Sequence, residues 1–296
     1  MRRSSSGRHM HDSDASPGGP ALELSLDGGE RPSILVECVS RRYAPPRAGR
    51  TRKLFAIFGG VESDIGPIEE EEDDEDDDTF ADLDDVAEER PPADRDLALD
   101  AISLRLSGGG CVAFVGPSGA GKSVLLRLVA GVTPPDSGRV TVHGLVAPIL
   151  TSLVPLIPRQ GRAHRGVRVL ASLARLPRAE VRDRLGDIFA FLGDARLAQA
   201  SLSNFSTRRK RELLFATMLT MDSDIVLVDC PLPPGELGER CRSRLVELRD
   251  RGALVIIAAR RADDVSWIAD HVVEMRGGRL AARVDSSEEA ARSRLS

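Results

Sequence analysis

Residues Gly116–Ser123 read GPSGAGKS, which fits the pattern G-x-x-x-x-G-K-[ST] and falls between an apolar run, CVAFV (Cys111–Val115), and a helical stretch from Lys122 to about Ala130. That context constrains the fold more than any other feature. Glycines let backbone N–H groups turn inward around phosphate oxygens, and the helix that starts there adds its positive N-terminal end. Gly116, Pro117, Ser118, Gly119, Ala120 and Gly121 would form the cradle, Lys122 would reach the β and γ phosphates of a bound nucleotide, and the Ser123 hydroxyl would ligate Mg²⁺. Only three lysines exist, Lys53, Lys122 and Lys210, so one standing at the pattern's lysine is informative. The bland alternative is a Gly-rich turn with no ligand.

The sequence around the loop alternates between strand and helix patterns. SILVECVS (Ser33–Ser40) and LALDAISLRL (Leu97–Leu106) read as strands, with SGGG as a turn before CVAFV. RVTVHG reads as a strand after the loop helix, followed by helical stretches from about Arg168 to Leu192 and from about Arg208 to Leu219. Then come a strand DIVLVD, a helix GELGERCRSRLVELRDRG, a strand ALVIIAA, a short helix around ADDVSWIAD, and strands HVVEM and RLAARV about the turn RGG. This order predicts an α/β domain with a mainly parallel sheet and an antiparallel appendage from the early hairpin. DIVLVD carries Asp229 to a strand's C-terminal end, where ligands sit in open α/β sheets, and there it would hold Mg²⁺ through its water.

Charge is unevenly spread. Between Val61 and Asp96 stand 19 acids, ten of them consecutive (Glu69–Asp78), against Arg90 and Arg95 alone, for a local charge of -17. The net charge is -5, so 27 acids and 39 bases elsewhere leave +12, nearly all of it arginine. The acidic run repels itself and reads as an insertion between two strands. It is either a solvated linker or an intramolecular counter-ion for the basic stretch Arg159–Arg184 and for RRKR (Arg208–Arg211), bases that would alternatively face anionic lipid headgroups. These clusters lack interleaved aromatics, so no nucleic acid is expected. Residues 1–30, rich in Ser, Gly, Pro and Asp, read as a disordered tail, and 286–296 as a C-terminal tail.

The apolar stretch Leu145–Pro158 is too short to span a bilayer and is broken by Pro148 and Pro155, and no apolar segment follows the basic N-terminus. The expectation is a cytoplasmic chain. Cys38, Cys111, Cys230 and Cys241 match no zinc or redox spacing, and the five histidines share no ligand spacing, so no structural metal is expected.

GPSGAGKSVLLRLVAGVTPPDSGRVTVHG resembles the ATP-binding subunit of an ABC transporter, in which the phosphate loop runs into a similar "LLRLxAG…P-x-SG-x-V…G" continuation. The likeness covers Ser33 to about Val284, insertion excluded. It implies a P-loop NTPase of the ABC nucleotide-binding type over 31–285, with an antiparallel β subdomain, an acidic insertion at 45–96 and a helical subdomain at about 150–220. It implies ATP and Mg²⁺ as cofactors, a transmembrane permease as partner, pairing with a second ATP-binding subunit as homodimer or heterodimer, and a peripheral place on the inner face of the plasma membrane. VECVSRRY is similar to the family's first strand, whose closing aromatic stacks on adenine; Tyr43 would take that role or serve in packing. RTRKLFAIFGG looks like the longer linker of the polysaccharide, lipopolysaccharide and teichoic-acid exporting branch.

The resemblance also identifies departures. Cys230 stands where the family carries a glutamate after the strand-end aspartate, Arg260 where a histidine closes the strand ALVIIAA, and Thr207 and Arg208 where two signature glycines follow Ser206. Gln160 would be the glutamine that senses γ-phosphate and the membrane partner. A thiol of pKa ~8.5 offers no base at pH 7, and arginine cannot release a proton. The expectation is therefore nucleotide binding with very slow hydrolysis. A non-transport, regulatory ATP-binding module stays open as an alternative; a small-molecule kinase fits the continuation after Ser123 less well.

Overall fold

A computed structural model describes residues 22–26, 32–42 and 97–285, with side chains up to residue 281. Tyr43 and the acidic run lie outside the described residues. Two sheets are formed. The larger has the order β10-β9-β4-β8-β7-β6, built from β4 (Gly110–Val115), β6 (Val146–Leu150), β7 (Ile225–Asp229), β8 (Leu254–Ala259), β9 (His271–Arg276) and β10 (Arg279–Asp285). All its neighbours pair in parallel except β9 and β10.

The central strands read as unbroken apolar runs because each feeds two cores. Cys111, Ala113 and Val115 of β4 enter one cluster with Val226, Val228, Val255 and Ile257. The alternate residues Val112 and Phe114 enter the other with Ile225, Leu227, Leu254 and Ile256. A parallel sheet covered on both faces requires this pattern. The first core is closed by α6 (Glu236–Asp250) and by the helices of 151–220; the second by α1 (Lys122–Val129) and the smaller sheet.

That smaller sheet, in the order β1-β3-β2-β5, comprises β1 (Leu22–Ser25), β2 (Ser33–Arg42), β3 (Leu97–Ser107) and β5 (Ser137–His143). β2 runs antiparallel to β3 and β5, whereas β1 runs parallel to β3. Cys38 and Ala101, both at φ 47, mark an irregularity in the β2–β3 ladder, and their N–H groups donate instead to Ser103 Oγ and Ser40 Oγ of the facing strand. Arg42 and Leu97 are paired, so the chain leaves this sheet and re-enters it at one place.

Two sequence expectations are corrected, and one apolar stretch that the sequence left unassigned proves to hold a strand. Residues 1–30 are not wholly without structure, since Leu22–Ser25 forms an edge strand that buries Leu24; four residues among Gly, Ser and Asp carry too little periodicity to be seen without their partner β3. The apolar stretch at 145–158 contains β6, which tolerates Pro148 because it lies at the sheet edge, where a missing N–H breaks no second ladder. The helix expected over Arg168–Leu192 is three helices, α2 (Ala163–Leu173), α3 (Arg178–Asp183) and α4 (Leu185–Phe191). Arg175 at φ 56 and Pro177 together stop the first of them.

The last helix of this subdomain, α5 (Thr207–Thr220), joins it to the sheet through an almost continuous buried run, Glu212–Leu219. Asp222 fastens the junction, accepting from Arg184 at 2.6 Å and from Arg244 at 3.0 Å. Phe215 is fully buried at the centre of the first core. Phe215→Ala should cost about 3–5 kcal/mol, read as a lower urea midpoint with an unchanged slope.

Candidate nucleotide site

Register brings the site together. Val115 pairs with Ala259, and Leu150 with Asp229, while β8 lies between β4 and β7, so these carboxyl ends share one rim of the sheet. The first residues beyond the strands are Gly116, Thr151, Cys230 and Arg260. In an open α/β sheet this rim is where ligands bind.

Beyond β4 the chain turns through the loop into α1. Two glycines are required sterically. At Gly116, φ is +147° and a Cβ would fall 2.2 Å from the Met275 carbonyl oxygen; at Gly121, φ is +98° and a Cβ would fall 2.5 Å from the Ala98 carbonyl oxygen. Gly121 is also the N-cap of α1 and contributes no capping side chain, so the helix's first-turn N–H groups have no side-chain acceptor there. Lys122 Nζ donates to the carbonyls of Gly116 and Pro117, each at 2.8 Å. Burial lowers the pKa of this ammonium, Asp229 works against that shift, and Arg260 adds to it.

The Ser123 hydroxyl donates to Asp229 Oδ1 at 3.0 Å, which sets a hydroxyl and a carboxylate from different elements side by side. Thr151 fixes the next residue. Its hydroxyl donates to the Asp229 carbonyl at 2.8 Å, and its oxygen lies 3.1 Å from Cys230 Sγ. One hydroxyl has one proton, so with that proton on the Asp229 carbonyl the thiol donates to Thr151. Burial pushes the Cys230 thiol up to about 11; the Thr151 contact and the Arg211 guanidinium pull the other way, and Asp229 adds to the rise.

The other sequence-selected residues lie apart from this core. Arg260 touches the loop through its backbone, its carbonyl accepting from Gly116 N at 3.3 Å, while its side chain is exposed. Ser206 is the N-cap of α5, its hydroxyl accepting from Arg209 N at 3.2 Å, and Thr207 and Arg208 are exposed in the first turn. Arg208 is tied back to the buried Glu212 at 3.1 Å, as is Arg209 at 2.7 Å. Gln160 is exposed just before α2. Among the described residues neither Gln160 nor Ser206 bonds to the loop. Sequence reasoning missed Thr151 and Glu212; the signal for Thr151 was its place directly after β6, a strand that Pro148 disguised.

Residues 99–232 match the family model described as ABC transporter. An O-antigen export system ATP-binding protein of Klebsiella pneumoniae is 32% identical over 187 residues, which is 62% of this chain and 75% of that protein. The chain belongs to the ABC transporter ATP-binding family. A teichoic acids export ATP-binding protein of Lactococcus lactis is 26% identical over 187 residues, 62% of this chain and 40% of the relative. A Fe(3+) ions import ATP-binding protein of Streptomyces coelicolor is 32% identical over 197 residues, 62% and 56%. Among solved structures, a dimeric ATP-binding cassette in a post-hydrolysis state with ADP and Pi superposes with a TM-score of 0.57 at 16% identity, covering 86% of this chain and 99% of that one. A nucleotide-free cassette gives 0.56 at 15%, covering 90% and 96%. The fold of this ATP-binding subunit is therefore the P-loop cassette with its β and helical subdomains, a type of subunit that binds ATP, dimerises and pairs with transmembrane permeases. Among the described residues no helix is long and apolar enough to cross a membrane.

Burial raises the thiols of Cys111 and Cys241 as well, the latter to about 12. Thiols in the unfolded chain ionise near ~8.5. A folded pKa above that value favours the native state fully at lower pH, and the advantage is lost as pH rises from there through about 11 for Cys230. The melting temperature should therefore fall between pH 8 and 10.5, less steeply in Cys230→Ala, as followed by circular dichroism. With one tyrosine and three lysines in the chain, few other groups titrate in that window.

Proposed function

We propose that the protein is the ATP-binding subunit of an ABC export system, holding Mg²⁺ and ATP while hydrolysing the nucleotide very slowly or not at all. Export is supported by relatives named for O-antigen and teichoic acid export. In this reading it sits peripherally on the inner face of the plasma membrane, held by a permease and paired with a copy of itself or with another ATP-binding subunit. The arginines of 159–184 would meet anionic headgroups there.

The residues present suit the ligand. Left-handed glycines and an uncapped helix start favour a phosphate chain over a side chain, and Lys122 supplies a charge already drawn to the loop's mouth. Ser123 and Asp229 are hard oxygen donors in mutual contact, the type of set that Mg²⁺ takes beside phosphate oxygens. The metal, when bound, neutralises phosphate charge. This chain's own residues bind and orient; the position where the resemblance puts a base holds a protonated thiol.

The observation that carries slow turnover is the state of Cys230, buried, protonated and hydrogen-bonded to Thr151 at the position where the resemblance puts a glutamate. A group that keeps its proton to about pH 11 takes none from water at pH 7. The α5 start adds a second obstacle, because Thr207 and Arg208 carry side chains where glycines would let the backbone approach an opposing nucleotide. Arg260 can bond phosphate but cannot release a proton.

Isothermal titration tests binding: Lys122→Ala should abolish Mg²⁺-dependent ATP affinity and Cys230→Ala should leave it nearly unchanged. Equal affinity in wild type and Lys122→Ala would remove the assignment of the loop. Single-turnover hydrolysis tests catalysis. A restored base is typically worth about 10²- to 10⁴-fold when the rest of the site is sound. Arg211, however, already acts on position 230 and would pair with a carboxylate there, and groups that work as a unit do not recover additively. Cys230→Glu alone should therefore give little ATPase activity, and adding Thr207→Gly, Arg208→Gly and Arg260→His should give a clear rise. Brisk wild-type turnover that is lost in Lys122→Ala would show that another base acts.

A further inference from the structure

Between α2, α4 and the turn at 195–199 lies a hollow of about 340 Å³, at the lower end of the range for small-ligand sites. Two helix faces build it. Leu185 and Phe189 of α4 stand four residues apart and supply an apolar floor, while His164 and Arg168 of α2, also four apart, line the opposite side. Ala195 and Ala198 of the turn line it too, and their small side chains leave the space unfilled. His164 is held as part of the wall, its Nδ1 lying 3.3 Å from the Ala198 carbonyl, which accepts. Gln199 accepts from Arg162 through Oε1, so its amide N–H groups are left for a guest.

The charge at this hollow has one sign. Arg168 lines it and no carboxylate does. Arg162 and Arg165 precede Arg168 at three-residue spacing, and none of the three has a carboxylate partner among the described residues. Other arginines of the subdomain are matched, Arg184 by Asp222, Arg196 by Asp194, and Arg208 and Arg209 by Glu212. A guanidinium donates five N–H groups and accepts none, so what completes Arg168 is an oxyanion, and what covers Leu185 and Phe189 is hydrocarbon. We propose that the hollow binds an amphiphilic anion, with its carboxylate or phosphate head on Arg168 and the Gln199 amide and the first part of its chain between α2 and α4. Inorganic phosphate alone would leave the floor bare. A sugar would need free acceptors as well, and the Ala198 carbonyl and Gln199 Oε1 are engaged. An anionic head on a hydrocarbon chain is offered both by a free alkyl phosphate or fatty acid and by an anionic lipid in a bilayer. No lining residue belongs to the phosphate loop or its rim, so the inference does not rest on nucleotide.

The test is isothermal titration of the full-length chain with decyl phosphate, kept below its micelle-forming concentration. Binding should be saturable and should tighten by up to about fourfold for each methylene added from hexyl to decyl phosphate. It should weaken about tenfold or more in Arg168→Gln, which removes the charge-assisted bonds to the head. Ala195→Leu should weaken it as well, because it fills the hollow without altering charge. Both positions are exposed, so both variants should melt with the wild type. Lys122→Ala should bind decyl phosphate as the wild type does; binding lost there would place the head in the phosphate loop and overturn the proposal. Affinity no better than for inorganic phosphate or for decanol, or indifferent to Arg168→Gln and Ala195→Leu, would overturn it too. Co-sedimentation with phosphatidylcholine vesicles, with and without phosphatidylglycerol, distinguishes the source. Phosphatidylglycerol-dependent sedimentation that Ala195→Leu abolishes assigns the site to a bilayer lipid, whereas decyl phosphate binding with sedimentation indifferent to Ala195→Leu assigns it to a free amphiphile.

Discussion

The position of β8 between β4 and β7 is the constraint from which the rest of the site follows. Its parallel register with both neighbours levels their carboxyl ends, so the loop after β4 and the aspartate closing β7 meet although more than a hundred residues separate them in sequence. The register in turn depends on two-sided burial. A slip of one residue on β7 or β8 would exchange the side chains delivered to the two cores, moving Leu227 toward the helices and Val226 toward the smaller sheet. Apolar packing on both faces thus fixes a polar contact, Ser123 with Asp229, to within a hydrogen bond.

The two sheets also hem in the loop. Gly116 lies against the backbone of β9 at Met275, and Gly121 against the start of β3 at Ala98, so the loop is clasped between the large sheet and the small one. The β subdomain contributes no residue to the Ser123–Asp229 contact, but its first segment after the insertion sets one wall of the turn that begins α1. The Ala98 carbonyl and the Leu99 side chain both lie against Gly121, so the start of β3 borders the phosphate loop directly.

How much of this was legible in the sequence divides along physical lines. The loop, the strand that ends at Asp229 and the α/β alternation were readable because each is a local pattern that a parallel sheet demands. β1 was not, because a four-residue edge strand takes its stability from β3 and not from its own composition. β6 was hidden by Pro148, a residue whose tolerance depends on being at an edge, which is a property of the sheet and not of the segment. Thr151 was missed with the strand it follows, and Glu212 for want of any local signal: Thr151 acts on residues 78 and 79 positions away, Glu212 on side chains one turn back, and only the folded chain shows what they hold.

Binding and turnover are unequally protected by this architecture. The groups that suit phosphate and metal are woven into packing. Gly116 and Gly121 cannot gain a Cβ without striking another backbone, and Ser123 and Asp229 satisfy each other at the rim. The positions where the resemblance expects hydrolytic residues are of another kind. Arg260, Thr207 and Arg208 are exposed at the ends of elements, and Cys230 occupies a slot that a small protonated group fills with one hydrogen bond to Thr151. Fold stability therefore opposes loss of the first set and of the buried Cys230, whereas the exposed Arg260, Thr207 and Arg208 can change at little cost to packing, so binding is better protected than the exposed part of the rim.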